Sequence, residues 1–171
     1  MRNGAKNGVA DIPCDRKSTH PISDQTRTGY NEKENSTINF NESKYDTMKT
    51  IIASPKAPKA VGPYSQAVKC GDTLYISGQL PIDGATGAMP ESIEDQTRQS
   101  LTNLGHILEE AGYSHADIVK TTVLLTDIAD FAAMNAVYAT FFTKDMPARI
   151  CYQVSKLPMG AKVEIDAVAV K

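Results

Sequence analysis

Residues 147–170 read PARICYQVSKLPMGAKVEIDAVAV, two apolar, β-rich runs separated by Pro158 and Gly160. Each run carries a charge where a strand would normally bury a hydrophobe: Arg149 in the first and Glu164 in the second. Strand side chains alternate between faces, so Arg149 and Cys151 point the same way, and Glu164 and Asp166 point together. The LeuProMetGly segment at 157–160 predicts a turn and antiparallel pairing of the two strands. A guanidinium and a carboxylate would then face one small cavity. The first offers a planar fork for a substrate carboxylate, the second an acceptor for water or a proton. The same residues also fit a plain cross-strand ion pair on a wet sheet face.

The preceding chain divides sharply. Residues 1–47 are rich in Asn, Ser, Thr, Asp, Glu and Lys, with few large hydrophobes and no periodicity, which predicts a disordered N-terminal extension ahead of a domain over 48–171. The acidic residues of that extension argue against a transit peptide, and Met48 is an alternative start. From residue 50 the chain turns to short β-rich runs at 50–53, 65–68 and 73–77, with CysGlyAsp at 70–72 as a tight turn. A loop over 81–90 leads to a helix whose start is marked by Ser92 and Asp95, spaced as a capping box, and whose stop is marked by Gly112. Leu101, Leu104, Leu108 and Ala111 form its apolar face. Residues 118–125, IleValLysThrThrValLeuLeu, read as a central strand buried on both sides. Asp130 is a candidate cap for a second helix with a Phe131, Met134, Tyr138 and Phe141 stripe ending near Pro147. Two helices can cover one face of a sheet of about six strands, which leaves the other face in need of a partner.

Composition removes several classes of function. The chain has 171 residues and a formal net charge of −2, so there is no electrostatic footprint for nucleic acid. No apolar run approaches the roughly 20 residues that span a bilayer, and no secretory signal is visible, which predicts a soluble, cytoplasmic protein. Cys14, Cys70 and Cys151 are odd in number and lack CxxC spacing, which suggests neither disulfides nor zinc. His20, His106 and His115 have no ligand spacing, and no glycine-rich nucleotide loop is present, so neither a metal nor a cofactor is expected.

Four separated motifs occur in order: GlyProTyrSerGlnAla at 62–67, LeuTyrIleSerGlyGln at 74–79, PheAlaAlaMetAsnAlaValTyr at 131–138, and ProAlaArg with ValGluIle at 163–165. Together they resemble the RidA (YjgF/YER057c/UK114) family over residues 48–171. One departure is Ile150 after Arg149, where the family usually has a small residue or Val; alternation puts it on the face away from Arg149. The resemblance implies a chorismate-mutase-like α+β subunit with a mainly antiparallel sheet, two helices on one face, and a homotrimer whose sheets close into a barrel with sites in clefts between subunits. It further implies cofactor-free hydrolytic deamination of reactive 2-imino acids and enamines, such as 2-iminobutanoate and 2-iminopropanoate. The products are 2-oxo acids and ammonia, and pyridoxal-phosphate enzymes are thereby protected from damage.

On this reading Arg149 anchors the substrate carboxylate and Glu164 handles the attacking water. Tyr64 walls the pocket and donates a phenolic hydrogen bond, Ser77 and Gly78 supply a turn that lets backbone approach ligand, Asn135 reaches the site from the second helix, and Cys151 is a wall rather than a nucleophile. Each has a structural alternative: a salt bridge to Glu164 or Asp166 for Arg149, an interface charge for Glu164, packing for Tyr64, a strand terminus for Gly78, and a local cap for Asn135. Two other functions compete, a 2-oxo acid binding or regulatory module on the same scaffold and a ribonuclease or translation inhibitor. The presence of both Arg149 and Glu164 favours the enzyme over the module. The lack of a basic stripe, stacking aromatics and a histidine pair disfavours RNA cleavage.

Overall fold

The structure is a computed structural model describing residues 49–171; the extension assigned to 1–47, with Cys14 and His20, and Met48 lie outside the described residues. Six strands run as β1 (Lys49–Ile52), β2 (Ala67–Cys70), β3 (Thr73–Gln79), β4 (Ile118–Leu125), β5 (Ala148–Gln153) and β6 (Val163–Val170). Two helices, α1 (Ile93–Glu110) and α2 (Phe131–Phe141), intervene. The sheet order is β1-β2-β3-β6-β4-β5. Every pair is antiparallel except β4 with β5, so the expected mainly antiparallel sheet with two helices is the architecture found.

The anticipated pairing of the last two strands is not. β6 inserts between β3 and β4, while β5 lies at the far edge, parallel to β4. The reason lies in the connections. α2 carries the chain back along the sheet between β4 and β5, and a helical crossover of this kind delivers a parallel neighbour. The segment after β5 is too long for a tight hairpin. It forms a one-turn 3-10 helix at Pro158–Gly160, with Met159 in the left-handed region at φ 56°. Val154 N–H donates to the Leu125 carbonyl at 2.8 Å and Thr126 N–H to that of Lys162 at 3.0 Å, which passes the chain across the end of β4.

Alternation sorts one face of the sheet under the helices. Leu74, Ile76, Thr121, Val123, Leu125, Val163, Ile165, Ala167 and Ala169 are buried there, against Leu101, Leu104, Ile107 and Leu108 of α1 and Met134 and Tyr138 of α2. Ser92 caps α1 as expected, its hydroxyl accepting from Asp95 N–H at 3.0 Å, and Gly112 follows the last turn at φ 78°. A cap is worth about 1 kcal/mol, whereas each fully buried Leu or Ile contributes roughly 1.5–3 kcal/mol, so it is the apolar face that holds α1 to the sheet. At α2 the expectation is corrected. Asp130 makes no side-chain cap; Asp127 accepts from Ala129 N–H at 2.9 Å and starts the 3-10 turn that runs into α2.

The other face is uncovered in the single chain, with Ile51, Tyr75, Ile150, Tyr152 and Val170 between 37 and 54% exposed. β4 is accordingly buried on one side only, and its Lys120, Thr122 and Leu124 are half-exposed, contrary to the two-sided burial its composition suggests. Ile150 lies on this face, opposite Arg149, as alternation requires.

Candidate functional site

The register separates the two charges. Arg149 aligns with Thr121 of β4 and, through it, with Ala167 of β6, both buried beneath the helices. Glu164 aligns with Leu124 and, across β4, with Tyr152, on the uncovered face. Arg149 and Glu164 of one chain therefore lie on opposite faces of the sheet, two strands apart, and do not share a cavity. Nor do they form the alternative ion pair: the ion pairs among the described residues are Lys56 with Glu109 and Lys144 with Asp145, both exposed.

The candidate residues instead assemble into two clusters. In the first, Arg149 and Asn135 line a cavity of about 460 Å³ with Tyr138, Ala139, Phe142, Met146 and Pro147. The guanidinium carbon lies 4.6 Å from the Tyr138 ring centroid and 5.6 Å from that of Phe131. Tyr138 in turn shares a 2.8 Å hydrogen bond with the Thr121 hydroxyl and packs on Phe142 at 4.4 Å between ring centroids. Burial pushes the Tyr138 phenol up, opposed by the Thr121 bond and the Arg149 charge, so its hydroxyl stays protonated. Cys151, half-buried against the core, is likewise pushed up by burial, with Arg149 opposing, which suits a wall and not a thiolate.

The second cluster gathers Tyr64, Ser77, Gly78 and Glu164. The pairing of β3 with β6 slips between Ile76 and Gln79, which leaves Ser77 and Gly78 in a bulge. The Ser77 hydroxyl donates to the Ser65 carbonyl at 2.7 Å, tying β3 to the segment that carries Tyr64. Gly78 is required by what lies over it: a Cβ there would overlap Glu164 Oε1 and come within 2.8 Å of its Cδ. Burial pushes the Glu164 carboxyl above its ordinary range, and the neighbouring Asp166 charge pushes it further. Tyr64 and Gly78 also border a cavity of about 290 Å³ walled by Val61, Leu80, Ile82 and Met159. Buried amides pin its flanking loops: Gln66 receives Ser54 N–H at 2.6 Å and donates to Pro58, while Asn103 donates to the Leu80 and Ile82 carbonyls at 3.0 and 2.8 Å.

Phe131, Tyr138 and Thr121 are neighbours of Arg149 whose local pattern does not set them apart. Their apolar periodicity on α2 and β-branching on β4 mark them as core, and only the crossover that stacks α2 beside β5 brings them to Arg149. Among the described residues no group of three or more His, Cys, Asp or Glu is placed to hold a metal ion. No helix there is long and apolar enough to cross a membrane.

Comparison with known proteins places this architecture. The family model described as endoribonuclease L-PSP matches residues 54–171. A goat (Capra hircus) protein named 2-iminobutanoate/2-iminopropanoate deaminase is 50% identical over 125 residues, covering 72% of this chain and 91% of its own length. The crystal structure of the Escherichia coli YjgF gene product is 46% identical, superposes with a TM-score of 0.70, and covers 71% of this chain and 98% of its own. That of E. coli TdcF with bound serine is 45% identical at a TM-score of 0.70, covering 71% and 98%. The chain belongs to the RidA/YjgF family.

Proposed function

We propose that the protein hydrolyses reactive 2-imino acids, 2-iminobutanoate and 2-iminopropanoate among them, to 2-oxo acids and ammonia in the cytoplasm, without a cofactor, sparing pyridoxal-phosphate enzymes from damage. The observation that carries the reading is Arg149: a guanidinium lying over aromatic rings in a small cavity, with no carboxylate partner among the described residues. Such a group suits a small carboxylate ligand. The relatives named as 2-imino acid deaminases and the relative with bound serine support a ligand of that kind.

Water adds to C2 of the protonated imine while Glu164 accepts its proton, giving the carbinolamine; Glu164 returns that proton to nitrogen, the C2–N bond breaks to release ammonia, and the carbinolamine hydroxyl gives its proton to Glu164 as the C2 carbonyl forms. A carboxyl raised above its ordinary range holds a proton more readily than an exposed carboxylate does, which suits it to this exchange.

Because the two clusters occupy opposite faces, the complete site joins the Glu164 cluster of one copy to the Arg149 cluster of the next. Two different patches in contact make a head-to-tail interface, which forms a ring when its rotation closes, and a trimer whose uncovered sheet faces meet satisfies both the exposed Ile51, Tyr75 and Tyr152 and the family resemblance. The deciding experiment follows ammonia release from freshly generated 2-iminobutanoate. A rate above the spontaneous one supports the enzyme; 2-oxobutanoate binding without acceleration supports the regulatory module instead. The ribonuclease description of the family model finds less support. His115 is engaged with the Leu101 carbonyl at 3.0 Å and packed on Phe141 and Phe142, so it is not available as one of a catalytic histidine pair.

Two results are expected here. Gly78→Ala should retain its fold, since the added methyl meets the mobile end of a side chain, yet lose much of kcat by displacing Glu164. A wild-type kcat would remove the role given to that contact. Deletion of residues 1–47 should leave Tm and turnover nearly unchanged, because the family match begins at residue 54. A drop in either would make the extension part of the working unit.

A further inference from the structure

We propose that Tyr138, tethered by Thr121, backed by Phe142 and joined by Phe131, is a platform that positions the Arg149 guanidinium while leaving its hydrogen-bonding edge free for the ligand. The inference rests on Arg149 being the carboxylate anchor.

An arginine held by a carboxylate spends its planar fork on that partner, and a ligand must then displace it. Aromatic rings take the flat face of the cation instead, and the N–H groups in the guanidinium plane stay unspent. Arg149 lies over rings rather than against a carboxylate, with Tyr138 at 4.6 Å and Phe131 at 5.6 Å and no ion pair among the described residues. The platform is itself immobilised. Thr121 is fully buried and is the cross-strand partner of Arg149, so the hydroxyl that fixes Tyr138 and the backbone that fixes Arg149 belong to paired positions. Phe142, also buried, supports the ring from another side. An ordered guanidinium loses less freedom on binding, which strengthens binding without a new contact.

The test measures 2-oxobutanoate affinity of the full chain by calorimetry, together with the Arg149 Nε–Hε NMR signal, whose ring-current shift reports the stacking directly. Tyr138→Leu should weaken binding about tenfold and abolish the shift, and Tyr138→Phe, which keeps the ring but loses the Thr121 tether, should lose no more than about threefold, with the shift moved but not abolished. Ile107→Val, buried in α1, serves as a stability control: it should lower Tm while sparing affinity and shift. A folded Tyr138→Leu that binds like wild type, while Arg149→Ala does not, would overturn the platform and leave the anchor standing. Normal binding by Arg149→Ala would overturn the anchor and the platform with it. If Tyr138→Leu does not fold, Thr121→Val decides: the shift should move as the tether is lost, and an unchanged shift and affinity refute the proposal.

Discussion

Arg149→Ala is expected to reduce kcat/KM by about two to four orders of magnitude, since a bidentate contact loses two charge-assisted hydrogen bonds, each worth roughly 1.5–3 kcal/mol. Arg149→Lys should recover little of this. Its ammonium is a point charge on a flexible stem, and it can neither present a planar fork nor spread across Tyr138 as a flat guanidinium does. The loss should appear equally in the affinity for 2-oxobutanoate. Normal binding of that product by the alanine variant would remove Arg149 from the anchoring role.

Glu164→Gln should fail differently, with kcat falling by about a hundredfold or more while product binding survives, because the amide keeps the shape and lacks the proton acceptor. The same variant carries a stability signature of known sign. Burial, and then Asp166, hold the Glu164 carboxyl above its ordinary range in the folded state. Its favourable contribution to folding is therefore full below the unfolded-state pKa and is lost as pH rises through the raised folded value. Glutamine does not titrate, so the variant should have the higher Tm at neutral pH, with the difference closing in acid below the ordinary Glu range. Thermal melts across that window check it, and a wild-type Tm advantage at neutral pH would contradict the raised carboxyl. Retention of wild-type turnover would remove Glu164 from the chemistry.

The elements were largely legible where local signals suffice. Ser92 and Gly112 bracket α1, the glycine turn at 70–72 joins β2 to β3, and β4 begins and ends where its β-branched run does. What local pattern does not carry is which strands become neighbours. The Pro158–Gly160 turn looks like a hairpin because turn chemistry is the same whether a chain folds back on its last strand or passes over the next. That choice was set by α2, whose crossover places β5 parallel to β4 and leaves β6 to fill the gap. The site suffered accordingly. Arg149 and Glu164 stand out as charges on apolar strands, and Gly78 by its place in a motif, yet their relative faces depend on a strand pairing that no local pattern encodes. Tyr138 also ends one of the motifs, but its periodicity is that of core, and its hydroxyl, needing a buried partner such as Thr121, is the further hint.

The opposite facing of Arg149 and Glu164 also has a genetic reading. If every working site borrows one charge from each of two copies, the two dead variants are dead for complementary reasons. Co-expressed Arg149→Ala and Glu164→Gln chains, assembling at random in a ring, should regenerate intact sites at about a quarter of the interfaces, although neither chain has activity alone. Two inactive alleles would rescue one another. A mixture as inert as its components would mean instead that each chain carries its whole site. Natural variation would then follow the same rule, with loss at one charge masked by a copy defective only in the other.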